Sequence, residues 1–133
     1  MHIDHIGIAV ADLEAAVKTY ETILNSPCTK REVVESEKVE TAFFQTGQSK
    51  VELLGATEPD SVIAKYVEKK GPGLHHVAFE VDDIFAELDR IREEGFTVLN
   101  EQPKNGADNK LVAFVHPKNN CGVLVELCQT KHD

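Results

Sequence analysis

The chain has 133 residues, 41% of them hydrophobic, and a formal net charge of −9. This length is typical of a single domain, and the apolar content is enough for a buried core, which excludes a disordered chain. The acidic balance without a basic cluster argues against nucleic acid and anionic membranes as partners, and no apolar run approaches the roughly 18 residues of a membrane span.

The first half of the chain reads as strand, helix and three further strands. Alternation over residues 3–10 predicts a strand, and Asp12 then caps a helix that Asn25-Ser26-Pro27 ends. Three more strands are predicted over residues 29–35, 38–46 and 51–54. A short helix follows, capped by Asp60 or Ser61 and ended by Gly71-Pro72-Gly73.

The second half repeats this order. Residues 74–81 read as a strand, and Asp83 caps a helix that stops at Gly95. The remaining strands are predicted at residues 96–99, 111–115 and 123–128. The segment between Gln102 and Asn109 is rich in Pro, Gly, Asn and Asp, which predicts an exposed, mobile loop.

The two halves match at equivalent strand positions. His5 and His76 are 76 − 5 = 71 residues apart and begin similar strands, and Glu52 and Glu126 occupy equivalent late strands 126 − 52 = 74 residues apart. We therefore predict an α+β fold in one domain, with two tandem βαβββ modules over about 1–57 and 72–133 and a connecting helix at about 60–71. The modules would form a curved mixed sheet around a cleft.

The equivalent positions carry residues suited to a metal. Buried carboxylates on apolar strands such as 123–127 are costly without a partner. We predict that His5, Glu52, His76 and Glu126 point into the cleft and bind a divalent ion there. Two nitrogens and two carboxylate oxygens suit Mn, Fe, Co, Ni or Zn with open positions for a substrate oxygen. His75 points to the opposite strand face and is expected to be structural.

Cysteine usage indicates a reducing compartment. Cys28, Cys121 and Cys128 are odd in number and lack a CxxC spacing, which predicts free thiols rather than disulfides. No signal peptide is recognised before Met1-His2-Ile3-Asp4. The expected location is the cytoplasm.

Several segments resemble the vicinal-oxygen-chelate superfamily, which includes glyoxalase I, extradiol dioxygenases, fosfomycin-resistance proteins and methylmalonyl-CoA epimerases. The resemblance to the epimerase family is strongest in Gly73-Leu74-His75-His76 and in the run from His116-Pro117-Lys118 to Gly122-Val123-Leu124-Val125-Glu126-Leu127. Further matching stretches are 4–10, 60–66 and 77–82.

This resemblance implies an enzyme that interconverts (R)- and (S)-methylmalonyl-CoA and is often a homodimer. It places metal ligands at His5, Glu52, His76 and Glu126, with Glu52 where some relatives carry glutamine. The expected ion is cobalt, with manganese, nickel or zinc as alternatives. The second catalytic carboxylate of the family falls on Glu40.

The chemistry of such a reaction needs two proton-transfer groups, since the α proton leaves one face of the carbon and returns to the other. Glu126 would act on one side and Glu40 on the other, while the metal stabilises the enolate. Ala42 and Phe44 share the face of Glu40, so apolar surroundings are expected to raise its pKa. Lys110 and Lys118 are candidates for the coenzyme A phosphates.

Two other classes of function share this scaffold. One is a glyoxalase-type lyase or isomerase, or a dioxygenase with two histidines and one carboxylate. The other is a ligand-sequestering protein of the bleomycin-resistance kind, which would not need matched histidines and glutamates. Metal content after purification separates the last class from the enzymes.

Overall fold

The structure is a computed structural model that describes residues 1–132. Its elements are β1 (His2–Val10), α1 (Leu13–Leu24), β2 (Lys30–Val34), β3 (Val39–Thr46), β4 (Ser49–Ala56), α2 (Val62–Lys70), β5 (Gly73–Glu80), α3 (Ile84–Glu93), β6 (Lys104–Gly106), β7 (Lys110–Val115) and β8 (Val125–Thr130). Within the described residues the order βαβββ thus occurs twice, with α2 between, and the predicted α+β class is confirmed.

The chain forms two compact units. The contiguous unit contains residues 6–75, and the composite unit contains residues 1–5 together with those from His76 onward. Strand β1 therefore contributes its first residues to the composite unit and the rest to the contiguous unit. The metal-ligand candidates His5, His76 and Glu126 all fall in the composite unit.

In the contiguous unit, β3 pairs antiparallel with β2 on one side and β4 on the other. Helix α1 begins because the Asp12 carboxylate accepts a hydrogen bond from the Ala15 amide at 3.1 Å. The apolar stripe of α1 packs on the sheet to form the core of this unit, and burying such side chains is its main stabilisation. The buried core residues are Val10, Val17, Ala42, Phe44, Val51 and Leu53.

In the composite unit, β8 lies between β5, to which it is parallel, and β7, to which it is antiparallel, and β6 is the next strand after β7. The Asp83 carboxylate caps α3 by accepting from the Ala86 amide at 3.1 Å. Helix α3 covers this sheet through a second apolar core. Its buried members are Val81, Ile84, Leu88, Ala113, Val115 and Leu127.

The two units use the same strand register around the glutamates. In the contiguous unit Glu52 of β4 is the cross-strand partner of Phe43 of β3. In the composite unit Glu126 of β8 is the partner of Phe114 of β7. Because cross-strand partners project from the same sheet face, each glutamate lies beside a phenylalanine, and the internal repeat is confirmed at this register.

The structure corrects two predictions in the second half. Residues 96–99 are not a strand: Val98 makes only an isolated bridge to Val115, and Phe96 and Val98 are apolar because they pack against the α3 core. Conversely, part of the predicted mobile loop is β6, paired to β7. The positive φ angles of Asp108 and Asn109, 61° and 58°, allow the tight turn between these strands.

The remaining helix, α2, is capped by Ser61 rather than Asp60, since the Ser61 hydroxyl accepts from the Ile63 amide at 3.1 Å. It packs through Ile63 against Ala9, Val39 and Leu54. Across residues 1–132, no helix combines the length and apolar character that crossing a bilayer requires.

Candidate metal centre

Three strands of the composite unit carry the candidate ligands. Glu126 of β8 is the partner of Ala78 in β5, and His76 lies two residues before Ala78. Since side chains alternate along a strand, His76 projects from the same face as Ala78 and Glu126. His5 comes from the first part of β1. We call His5, His76 and Glu126 the His–His–Glu cluster.

The three side chains meet in a buried space. The Nε2 atoms of His5 and His76 are 3.0 Å apart. The Glu126 Oε1 atom lies 3.3 Å from His76 Nε2 and 3.7 Å from His5 Nε2, and each side chain is only 6% exposed. The imidazole rings cross at 87° with centroids 5.1 Å apart. Phe114 covers the cluster edge-on, 5.6 Å from the His76 ring.

The Glu126 carboxylate is strongly held in its charged form. Burial alone would raise its pKa, but hydrogen bonds and charge from His5 and His76 outweigh burial and lower the pKa to about 2. Glu126 therefore carries a full negative charge at neutral pH. A buried anion of this kind needs a cationic partner, which protonated imidazoles or a metal ion can supply.

Asp4 orients His5 from behind. The His5 Nδ1–H donates to Asp4 Oδ2 at 2.7 Å, so in the neutral imidazole the Nε2 lone pair is directed to the cluster. A histidine that ligates a metal is commonly fixed by a carboxylate in this manner. Asp4 in turn lies 3.3 Å from the Lys110 ammonium through its other oxygen.

The His–His–Glu cluster fits a divalent metal by its chemistry. One ligand atom from each residue lies within 4.8 Å of the other two, and all three residues are buried. Two imidazole nitrogens and one carboxylate oxygen suit Mn, Fe, Co, Ni or Zn, and such a set leaves coordination positions open. The predicted metal-binding character of His5, His76 and Glu126 therefore agrees with their arrangement.

The fourth predicted ligand, Glu52, belongs to the contiguous unit. It lies on β4 and is 5% exposed, consistent with an inward-facing carboxylate rather than a surface one. Its role as a ligand stays a prediction from the repeat and the resemblance.

The predicted second base, Glu40, lies in different surroundings from those expected. Its partner in β4 is Gly55, where a Cβ would meet Leu13 of α1, so Glu40 projects from the face that α1 covers and Glu52 projects from the opposite face. Instead of an apolar pocket, the Glu40 carboxylate meets Arg31, whose Nε donates to it at 2.9 Å. Arg31 also donates to Glu14, so the three form an ion-pair network at the α1 face.

The other residues that the sequence singled out differ in exposure and contacts. The ring of His75 packs on Tyr66, with centroids 4.8 Å apart, which fits a structural residue. Lys118 is exposed. Lys110 is not a surface residue: it is 7% exposed, and its ammonium contacts the Asp4 and Glu80 carboxylates. The idea that Lys110 meets coenzyme A phosphates is therefore wrong.

Sequence analysis missed two contacts behind the cluster, that of Asp4 with His5 and that of Lys110 with Asp4. Asp4 stands directly before His5, a signal that was available. The contact between Lys110 and Asp4 joins residues 110 − 4 = 106 positions apart along the chain, and no local pattern predicts it. Burial opposes the charge on Lys110, but Asp4 and Glu80 outweigh it and raise the pKa of the ammonium.

Comparison with known proteins identifies the class that this fold and cluster define. The sequence profile of the Glyoxalase/Bleomycin resistance protein/Dioxygenase superfamily matches residues 4–114. The chain belongs to this superfamily, which confirms the vicinal-oxygen-chelate resemblance seen in the sequence.

Individual relatives within this superfamily are methylmalonyl-CoA epimerases. The chain is 40% identical to the ethylmalonyl-CoA/methylmalonyl-CoA epimerase of Cereibacter sphaeroides over 96% of both chains. It is 39% identical to the human mitochondrial methylmalonyl-CoA epimerase, over 96% of this chain and 73% of the human one. A Streptomyces coelicolor methylmalonyl-CoA epimerase variant, solved with 2-nitronate-propionyl-CoA, matches with a TM-score of 0.94 and 36% identity over 99% of both chains.

Proposed function

We propose that this protein is an isomerase that interconverts the (R) and (S) forms of methylmalonyl-CoA. The observation that carries the proposal is 40% identity, over 96% of both chains, with an epimerase named for this substrate. The buried His–His–Glu cluster supports it, because removal of a proton next to a thioester requires stabilisation of negative charge in a water-poor site.

We further propose that His5, His76 and Glu126 hold a divalent metal, with Glu52 as the fourth ligand and cobalt as the ion. Imidazole and carboxylate ligands are compatible with cobalt, manganese, nickel and zinc alike. When bound, the ion would supply Lewis acidity toward the negative charge that develops on the thioester oxygen.

In this proposal the residues of the chain have separate tasks. Glu126 accepts the α proton on one face of the substrate carbon, since its carboxylate is ionised and buried. Asp4 keeps the His5 proton on Nδ1 and so keeps Nε2 available. The enclosure of the cluster excludes water, which strengthens each of these electrostatic contacts.

The resemblance also assigns Glu40 as the proton-transfer group for the other face. The pairing of its carboxylate with Arg31 weighs against this assignment, because proton transfer would require that the ion pair open. Glu40→Ala tests whether Glu40 transfers a proton or only pairs with Arg31. Glu32→Ala on the neighbouring β2 is the control for loss of a strand carboxylate. Loss of epimerisation with the metal retained would support the assignment, and retained epimerisation would remove it.

The proposal as a whole is tested by following the α proton of (R)- and (S)-methylmalonyl-CoA in deuterated water by NMR. We expect exchange with interconversion of the two forms, lost with chelator and restored by cobalt. Ethylmalonyl-CoA tests tolerance for a longer side chain. Absence of exchange in folded, metal-loaded protein would overturn the proposal, and the hemithioacetal of glutathione and methylglyoxal would then test the glyoxalase alternative.

We also expect a cytoplasmic homodimer. Free Cys28, Cys121 and Cys128 agree with a reducing compartment, and burial raises the pKa of the Cys128 thiol, which makes it unreactive. Light scattering coupled to size exclusion tests the dimer: a mass of one chain at micromolar concentration would contradict it.

A further inference from the structure

A buried lysine lies next to the His–His–Glu cluster and has no part in the chemistry described above. Lys110 of β7 is 7% exposed. Burying an ammonium is costly unless its charge is paired and its hydrogens are bonded. The ammonium of Lys110 must therefore be paired by neighbouring acceptors.

The ammonium has three oxygen neighbours, of which two accept hydrogen bonds and the third forms an ion pair. Lys110 Nζ lies 2.7 Å from the Thr130 hydroxyl and 3.1 Å from Glu80 Oε1, and 3.3 Å from Asp4 Oδ1. The Thr130 hydroxyl itself donates to Glu80 Oε1 at 2.5 Å, which leaves its lone pairs for Lys110. The ammonium is therefore fixed in position by the ends of β5 and β8.

From this fixed ammonium, a line of contacts leads to the cluster. Asp4 uses one carboxylate oxygen toward Lys110 at 3.3 Å and the other toward His5 Nδ1 at 2.7 Å. A carboxylate bound at both oxygens cannot rotate without losing one contact. Lys110 thus sets the orientation of Asp4, and Asp4 sets the orientation and tautomer of His5.

The same carboxylates also lie near His2, and His2, Asp4 and Glu80 are spaced like metal ligands. However, the Lys110 ammonium already contacts both Asp4 and Glu80. His2 lies 3.8 Å from Glu80 and its side chain is 48% exposed. The cation at this place is the lysine, so the group acts as support for the cluster and not as a second metal site.

We propose that Lys110 is a positioning residue of the metal centre, acting on His5 through Asp4. The proposal rests on the proposed metal site, but it is tested by metal affinity and does not need epimerase activity. Outer partners of metal-bound histidines typically change affinity by about 10- to 100-fold.

The test is a titration of metal-free protein with Co²⁺, followed by cobalt absorption and calorimetry. Lys110→Met keeps an unbranched side chain that ends at the ε position and removes the charged ammonium, and Lys110→Arg restores the charge. We expect Lys110→Met to bind Co²⁺ about 10-fold more weakly, with partial recovery in Lys110→Arg. Affinity within about twofold of wild type in folded Lys110→Met would overturn the proposal.

Two further variants separate positioning from general stability. Glu80→Gln removes the negative charge on the other side of Lys110 but keeps an oxygen that can accept from the ammonium and from Thr130, so Lys110 stays in place beside Asp4. We expect this variant to lower the melting temperature, as Lys110→Met does, and to keep Co²⁺ affinity. Asp4→Asn combined with Lys110→Met should bind Co²⁺ no more weakly than Asp4→Asn alone, since both substitutions act on His5 by one route.

Three results would each overturn the proposal: additive losses of Co²⁺ affinity in the double variant, a loss in Glu80→Gln equal to that in Lys110→Met, or no Co²⁺ binding by wild type. Co²⁺ binding with this pattern but no α-proton exchange would overturn only the epimerase function.

Discussion

At the scale of single residues, Glu126 makes the acid stability of the metal-free protein depend on one buried carboxylate. Its pKa is about 2 in the folded protein, against 4.5 ordinarily. The folded state therefore binds fewer protons than the unfolded state, and acid favours unfolding. The stabilisation is complete above pH 4.5 and is lost as the pH falls toward 2.

We expect the difference in unfolding free energy between wild type and Glu126→Gln, measured without metal, to be largest above pH 4.5 and to shrink toward pH 2. Denaturant titrations at several pH values measure it. Glu68→Gln, at an exposed site on α2, serves as the control. A difference that stays constant across this range would show that Glu126 has no such role.

His76 allows a test with its own neighbour as control. His76→Ala removes one of the two imidazoles and is expected to weaken metal binding by more than about 100-fold, beyond the effect of outer partners, and to abolish epimerisation. His75→Ala should leave both intact, because that ring packs on Tyr66. Metal content by mass spectrometry of purified protein is the measurement. Full metal occupancy in His76→Ala would refute the ligand assignment.

The sequence predicts a residue's surroundings only where the residues that contact it belong to a pattern visible along the chain. His5, His76 and Glu126 are predictable because duplication marks each position twice. Glu40 shows the opposite case: alternation correctly put it on one face with Ala42 and Phe44, but the α1 residue Glu14 and the β2 residue Arg31 that approach this face lie outside any local pattern. The expected apolar surroundings were therefore wrong.

At the scale of elements, the two helices on the sheets begin with the same device, an aspartate that accepts from the amide three residues later. Asp83→Ala should lower the unfolding free energy by about 0.5–2 kcal/mol, since an amide of the first turn of α3 loses its partner. Asp82→Ala, one residue earlier and exposed, is the matched control. Equal effects of the two substitutions in denaturant unfolding would exclude the cap.

Element boundaries were predictable where a cap or a turn residue fixed them, as at Asp12, Asp83 and Gly71. They were not predictable between α3 and β7. There two short segments bond at different ends of β7: residues 97–99 make backbone hydrogen bonds to Phe114 and His116 around a single bridge, and Lys104–Gly106 pairs with residues 110–112. The apolar side chains of Phe96 and Val98 reflect packing against the α3 core. Side-chain pattern alone does not report backbone pairing.

At the scale of the whole molecule, a net charge of −9 repels a coenzyme A thioester, whose nucleotide carries several phosphates. Added salt screens this repulsion, with a Debye length of about 10 Å at 0.1 M. If the proposed substrate is correct, KM for methylmalonyl-CoA should fall as ionic strength rises from low values. Methylmalonyl-pantetheine lacks the nucleotide phosphates and should respond less. A KM that rises with salt would instead indicate a local cationic site for the phosphates.

The duplication and the fold class were predictable because they rest on patterns repeated along the chain. The grouping of residues 1–5 with the second half was not, because compactness depends on contacts between distant parts of the sequence.

The grouping of residues 1–5 with the second half also affects the order of folding. The contiguous unit is a single stretch of chain and is synthesised before His76 exists. The composite unit requires both the beginning of the chain and its last strand, and His5 and Glu126 are 126 − 5 = 121 residues apart. Closing so long a loop is slow relative to local contacts. If His5, His76 and Glu126 hold a metal as proposed, the site is complete only after β8 has been synthesised, and in refolding experiments cobalt colour should develop after most of the helical signal has returned.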